Sequence, residues 1–233
     1  VVVGAGNGGL VAATTAAQNG AKVVVLEKAG AIAAAREAIG ALNSKLAPDH
    51  QEDVPTLLNH ANQTQSGDAN MLMYKTWAEK SGEMIEWMAD TLGPKGMLFP
   101  FEWHCPDDPH AYYPAMCYNP CIGEYNPDGP NYNSYAHLEV MRDVFTDDLG
   151  GEIRFECPAQ QLVIDESGRV TGVVAEGKEG FIQVNAAKGV IICTGGYGAN
   201  NEMLADLAPG NSAWCALRDS VTETGDGIRM VEE

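Results

Sequence analysis

The residues best suited to chemistry stand at the head of the chain. Val1-Val2-Val3 runs into Gly4-Ala5-Gly6-Asn7-Gly8-Gly9, a G-x-G-x-x-G spacing. Gly4 allows a tight turn off a strand, and Gly6 lets the backbone come close to a diphosphate. Gly9, with Ala13 four residues on, lets a helix lie close to a sheet. The free N–H groups and the dipole at the start of that helix favour a phosphate anion. Glu27 follows Gly9 by 18 residues. A carboxylate at that distance accepts hydrogen bonds from an adenosine ribose and repels a 2′-phosphate. The chemistry implied is the binding of a dinucleotide without a 2′-phosphate, which disfavours NADP.

These residues need elements to hold them. Val1–Val3 is short and apolar, as a buried parallel strand is. Leu10–Gln18 is a helix of small and apolar residues that Asn19-Gly20 ends. Ala21–Leu26 is a second strand, closed by Glu27. The fingerprint therefore sits inside a βαβ unit, its proper context. A simple NAD domain would continue with regular βαβ units. Here Ala29–Ala35 and then Arg36–Ser44 follow instead. Small residues at Gly40 and Ala41 would let a bulky planar group near the backbone, with Asn43 and Ser44 as polar contacts. Ala, Arg, Glu and Leu in the same stretch also suit a plain helix, so both readings stand.

Further along, Asn70–Leu92 predicts a helix with a core stripe of Met71, Tyr74, Trp77, Met84, Trp87 and Met88. Gly93–Asn133 reads as a long irregular segment of the kind that carries functional loops. Its His104, His110, Tyr112, Tyr113 and Tyr118 suit structural roles better than ligand contacts. Ser134–Leu149 predicts a helix. Glu152–Glu156, Gln161–Asp165, Val170–Ala175 and Phe181–Asn185 predict strands of an antiparallel group. Gly189–Cys193 predicts a buried strand, with Thr194-Gly195-Gly196 at the carboxyl end that faces a ligand crevice in open α/β sheets. Thr224-Gly225-Asp226-Gly227 opens a last helix, where Asp226 could meet a ribityl hydroxyl.

Composition narrows the partners. Apolar residues make up 45% of the chain and charged residues 20%, and the net charge is −18. Such an acidic surface repels nucleic acid and anionic lipid. No run of ~18 apolar residues occurs, which excludes a helical membrane span in this stretch. Cys105, Cys117, Cys121, Cys157, Cys193 and Cys215 are too sparse for a disulfide framework. Cys105, Cys117 and Cys121 beside His104 and His110 permit a zinc or iron–sulfur reading, but tight CxxC pairs are lacking. Free thiols and no metal are the expectation. The chain opens inside a strand without methionine and closes as a helix begins, so it is expected to be part of a larger protein. Its compartment stays open.

The pieces VVVGAGNGGLVAA, VVVLEK, AIGALNS, GRVTGVVA, GVIICTGGYGANNEM and TGDGIRM, in this order, resemble the flavoprotein family of fumarate reductase, urocanate reductase and ketosteroid dehydrogenase. The resemblance implies an α/β fold: a Rossmann-like FAD-binding domain with a parallel sheet, a small antiparallel β-meander and added helices, over residues 1–233. The family's capping domain and return segment would lie outside this chain. FAD is the implied cofactor. The backbone of Gly4, Ala5, Gly6, Gly8 and Gly9 would hold its pyrophosphate and Glu27 its adenosine ribose, with Lys28 beside it. Gly40, Ala41 and Asn43 would lie near the flavin or ribityl, and the backbone of Ala159 at the adenine. Thr194, Gly195 and Gly196 would pack on the adenosine side, and Asp226 would touch the ribityl part.

The sequence departs from the family pattern in the alanines of 31–35, in Ala41 where glycine is common, and in Cys193 where alanine is usual. By resemblance, reduced flavin N5 would deliver hydride to an activated C=C bond of a small-molecule substrate, an unsaturated acid or an enone. An electron donor, as a domain or a separate protein, would supply the flavin. A dehydrogenase or oxidase of the same fold, or a flavin-binding piece without catalysis, are the alternatives. The catalytic acid is expected outside this chain, and neither Arg36 nor Arg218 is assigned that role.

Overall fold

The computed structural model describes residues 1–32, 38–64, 67, 70–104, 115–123, 136–211 and 222–232. In chain order the first elements are β1 (Val2–Val3), α1 (Asn7–Gln18), β2 (Val24–Leu26), β3 (Ile39–Gly40), α2 (Val54–Thr64) and α3 (Met71–Leu92). Then come β4 (Met97–Leu98), β5 (Phe101–His104), β6 (Ala115–Tyr118), β7 (Cys121–Ile122), α4 (Ala136–Asp143) and β8 (Glu152–Arg154). The last are β9 (Ala159–Ile164), β10 (Val170–Gly177), β11 (Gly180–Asn185), β12 (Ile191–Ile192), α5 (Asn201–Leu207) and α6 (Asp226–Glu232). The chain divides into two compact units, Val1–Ala34 with Met141–Glu233, and Ala35–Val140. No helix among the described residues is long and apolar enough to cross a membrane.

The first unit is built on a parallel sheet in the order β12-β1-β2-β8. Successive side chains of a strand point to opposite faces, and the core divides accordingly. Val2 and Val25 pack with Ala5, Ala13, Val23 and Phe145 on one face. Val3 and Leu26 pack with Val173, Ala175, Val184 and Met230 on the other. Thus α1 covers one side, and the antiparallel sheet β11-β10-β9 with α6 covers the other. Each buried Val or Leu contributes about 1.5–3 kcal/mol relative to leaving it exposed, so strands of two or three residues are held by what lies above and below them.

Several expectations change at this level. β8 joins the parallel sheet beside β2, not the antiparallel group. It enters after α4 and the π-helical turn Val144–Asp148, and a strand that returns from a helix packed on a sheet face runs parallel. Its polar residues, Glu152 and Arg154, fit its place at the end of the strand order. The first helix starts at Asn7, not Leu10, so Gly8 and Gly9 lie in its first turn. The meander itself is present as β9, β10 and β11, antiparallel throughout.

The second unit holds the antiparallel sheet β3-β6-β5 and the pair β4-β7. Residues 38–44 form β3 and a loop, which corrects the plain-helix alternative. Ile39 and Gly40 pair with Tyr118 and Cys117, a cross-strand demand that overrides local helix propensity. The stretch 93–133 is less irregular than expected, since β4 to β7 lie in its described parts. Cys105, His110, Tyr112, Tyr113, Cys215, Arg36 and Arg218 lie outside the described residues. α3 starts at Met71 because the Asn70 side chain accepts the N–H groups of Leu72 and Met73. A Cβ on Gly82 of α3 would stand 2.3 Å from the Leu42 carbonyl oxygen, so that glycine lets the helix lie on the 42–43 backbone.

Candidate dinucleotide site

In the first unit the ends of β1, β2 and β12 meet the start of α1. Gly4, with φ +100°, turns the chain off β1, and a Cβ there would stand 2.3 Å from the Cys193 carbonyl oxygen. A Cβ on Gly9 would stand 1.9 Å from the Gly4 carbonyl oxygen. Both glycines are required by close backbone approach, as their spacing predicts. Gly6 caps α1 in extended geometry, without a side-chain cap and without an acidic residue in the first turn. Asn7 and Gly8 are exposed and Gly6 is half-buried. The helix start is therefore open to an anion.

Glu27 closes β2 and is only 8% exposed. Its Oε2 accepts the Ala5 N–H at 2.7 Å and its Oε1 accepts the Ala29 N–H at 2.8 Å. An ionised carboxylate offers about four acceptor positions, so each oxygen keeps capacity for a hydroxyl donor. The Glu27 carbonyl also accepts the Cys157 N–H at 2.9 Å. That bond brings the chain entering β9, and so Ala159, alongside the carboxylate-bearing end of β2.

Lys28 turns to the far end of the unit. Its Nζ donates to Thr224 Oγ1 at 2.6 Å and to Asp226 Oδ2 at 2.7 Å, while Thr224 Oγ1 donates to Asp226 Oδ1 at 2.8 Å. Burial pushes the Asp226 carboxyl up, but the Lys28 and Thr224 bonds outweigh it and hold the group below its ordinary value. The turn is fixed from a second side as well. Gly225 N–H donates to the Gly196 carbonyl at 3.1 Å, and Asn200 Nδ2 donates to the Thr224 carbonyl at 3.0 Å. A Cβ on Gly227 would stand 2.2 Å from Thr194 Oγ1. The motifs at 4–9, 27–28, 194–196 and 224–227 are thus joined by a continuous set of contacts. An open groove of about 450 Å³ lies beside them, lined in part by Cys193, Thr194, Gly195, Gly227 and Ile228.

Gly40, Ala41 and Asn43 belong to the second unit. Ala41 is buried, and the Gly40 carbonyl accepts Trp77 Nε1–H at 3.2 Å. Asn43 has φ +54°. Its side chain accepts the Glu52 N–H at 2.7 Å and donates to the Glu52 carbonyl at 3.0 Å, so its amide closes a loop of its own unit. Ser44 is buried and hydrogen-bonds the Tyr118 hydroxyl, whose pKa burial pushes up. Asn200 is the residue that sequence reasoning missed. It caps α5 by accepting the Glu202 and Met203 N–H groups, and an Asn before a run of helix formers was the available signal. Cys117, Cys121 and Cys157 are buried, and Cys193 is half-buried. Among the described residues no three His, Cys, Asp or Glu side chains cluster as metal ligands.

Gly4 and Gly9 let β1, α1 and β12 pack backbone to backbone, and the start of α1 beside them carries no side-chain cap. Residues 1–233 match the family described as FAD binding domain. The chain is 27% identical over 256 residues to digoxin reductase of Eggerthella lenta, covering all of this chain and 44% of that protein. It is 25% identical over 239 residues to a probable fumarate reductase of Shewanella frigidimarina, again over all of this chain and 38% of that protein. The fold is similar to a crystal structure of 3-ketosteroid-Δ4-(5α)-dehydrogenase from Rhodococcus jostii, with a TM-score of 0.77 and 21% identity over 99% of this chain and 52% of that one. The chain therefore spans less than half the length of these two sequence relatives.

Proposed function

The chain belongs to the FAD binding domain family, and on that premise we propose that residues 1–233 form the Rossmann-type FAD-binding part of an oxidoreductase that reduces an activated C=C bond. FAD is the cofactor. The substrate class is a small unsaturated acid or enone, and reducing equivalents come from a donor domain or protein. The relatives named digoxin reductase and fumarate reductase support the reductive direction.

When bound, FAD supplies the two-electron chemistry, exchange of hydride between its N5 and a substrate carbon. The residues of this chain bind and orient. The start of α1 at Gly6–Gly9, which has no side-chain cap and no acidic residue in its first turn, would take the diphosphate, since a helix N-terminus favours an anion. Glu27 takes the adenosine ribose with the acceptor capacity that Ala5 and Ala29 leave. Ala159 would lie at the adenine, Thr194, Gly195 and Gly196 on the adenosine side, and Asp226, bonded to Lys28, at the ribityl chain. Gly40, Ala41 and Asn43 are assigned to the flavin end on the family resemblance.

The single observation that carries this reading is the open, uncapped head of α1 with the Glu27 carboxylate hydrogen-bonded to the same turn. The purified protein is expected to be yellow with flavin absorbance, or to take up FAD from solution. Anaerobic reduction of fumarate-like acids or enones with a dye donor supports the reductase. Oxidation of saturated ketones by the same preparation would instead support a dehydrogenase, and a colourless protein that takes up no FAD overturns both.

A further inference from the structure

Lys28 and Asp226 are 198 residues apart, yet with Thr224 they close a three-membered ring. The ammonium reaches both partners, and the Thr224 hydroxyl both accepts from Lys28 and donates to Asp226. The two ion-pair side chains are 28% and 36% exposed, so water screens them only in part. Each Asp226 oxygen already has one protein donor and keeps capacity for another. Asp226 also stands in the first turn of α6, where the dipole favours a carboxylate. The next residue back from Lys28 is Glu27, whose carboxylate faces the α1 turn. An anionic dinucleotide entering here would meet two carboxylates, and the Lys28 ammonium is bound to one of them.

We propose that Lys28 is a positioning residue: it does not grip the cofactor itself but fixes the Asp226 carboxylate, and offsets its charge, so that the carboxylate receives a hydroxyl of the dinucleotide without repelling its diphosphate. The proposal rests on the FAD reading above. It makes Lys28 act through Asp226, so the two side chains are not independent. The Lys28→Arg substitution keeps the charge and adds a bidentate reach to a carboxylate, whereas Lys28→Met keeps only the stem.

The test is a double-mutant cycle on the whole chain. Lys28→Met, Lys28→Arg, Asp226→Asn and the Lys28→Met/Asp226→Asn pair are each titrated with FAD by flavin fluorescence, at low and at high salt. A charge-assisted hydrogen bond of this kind is worth about 10- to 100-fold in affinity. Lys28→Met is expected to weaken FAD binding by that factor, Lys28→Arg to restore most of it, and the pair to bind no more weakly than the weaker single variant. The loss in Lys28→Met should shrink as salt is raised, because added ions screen the unpaired carboxylate. Amide exchange of residues 224–227 without FAD gives a second readout, with faster exchange expected in Lys28→Met and near-normal exchange in Lys28→Arg. Undiminished FAD affinity in Lys28→Met, or losses that add in the pair, overturns the proposal while leaving the cofactor site intact. A natural-sequence protein that takes up no FAD overturns the site and the proposal together.

Discussion

Gly8 and Gly9 are neighbours in the same first helical turn, and the structure gives them opposite fates on substitution by alanine. A Cβ at Gly9 would stand 1.9 Å from the Gly4 carbonyl oxygen, where 3.4 Å is the near edge of ordinary contact. Both partners are backbone, so relief requires α1 to withdraw from the β1 turn by about 1.5 Å. Overpacking of this kind costs about 3 kcal/mol at the upper end, and the better helix propensity of alanine returns about 1 kcal/mol. The net loss of about 2 kcal/mol corresponds to a Tm lower by about 4–8 °C for a chain of this size. A Cβ at Gly8 would meet only the Cys193 side chain, at 3.8 Å. Gly8→Ala should therefore raise Tm by roughly 1–4 °C through helix propensity alone. Thermal melts followed by circular dichroism, without FAD, compare the two directly. A Gly9→Ala protein that melts at or above the parent, or a Gly8→Ala protein that falls as far as Gly9→Ala, refutes the close-approach account of the motif.

Further expectations follow from the same contacts. Glu27→Gln keeps one acceptor oxygen for two backbone donors, Ala5 and Ala29; stranding one buried N–H costs about 1–3 kcal/mol, measurable by urea denaturation. Asn200→Ala removes the cap of α5 and the bond to the Thr224 carbonyl, and should lower stability by about 1–2 kcal/mol in the same assay. Asp226 is held below its ordinary value of 3.8, so its bonds to Lys28 and Thr224 stabilise the fold fully above about pH 5 and are lost as pH falls through its folded value, below 3.8. The Tm gap between the parent and Asp226→Asn should be flat from pH 7 to 5 and close at lower pH; a gap that widens on acidification would contradict the sign.

The glycine turn after β1 was legible because its geometry is local. Gly4, Gly6 and Gly9 answer constraints set within a few residues, and the flanking valines and leucine alternate between two cores in a register that the strands alone imply. The meander was legible for a similar reason, since Val170–Gly177 and Gly180–Asn185 are joined by a tight turn with Gly180 at φ +120°. What sequence reasoning lost was set at a distance. The partner of β8 is β2, more than a hundred residues away, and nothing in Glu-Ile-Arg-Phe-Glu announces direction. The strand character of Ile39–Gly40 comes from β6, against a local composition that suits a helix. α2 was missed although Asp53, which accepts the Thr56 N–H at 3.0 Å, and Pro55 mark its start. The Lys28–Thr224–Asp226 ring had no sequence signal beyond two motifs read separately.

The strand β1 takes one neighbour from Val25 and the other from Ile191. On a ribosome adding about 5–20 residues per second, roughly 10–40 s separate the synthesis of Val2 from that of Ile191. Throughout that interval the valine edge of β1 that later receives β12 has no partner, and an unpaired apolar strand is a template for pairing with other chains. A nascent polypeptide with this topology therefore completes the sheet around β1 only after Ile191 has been added.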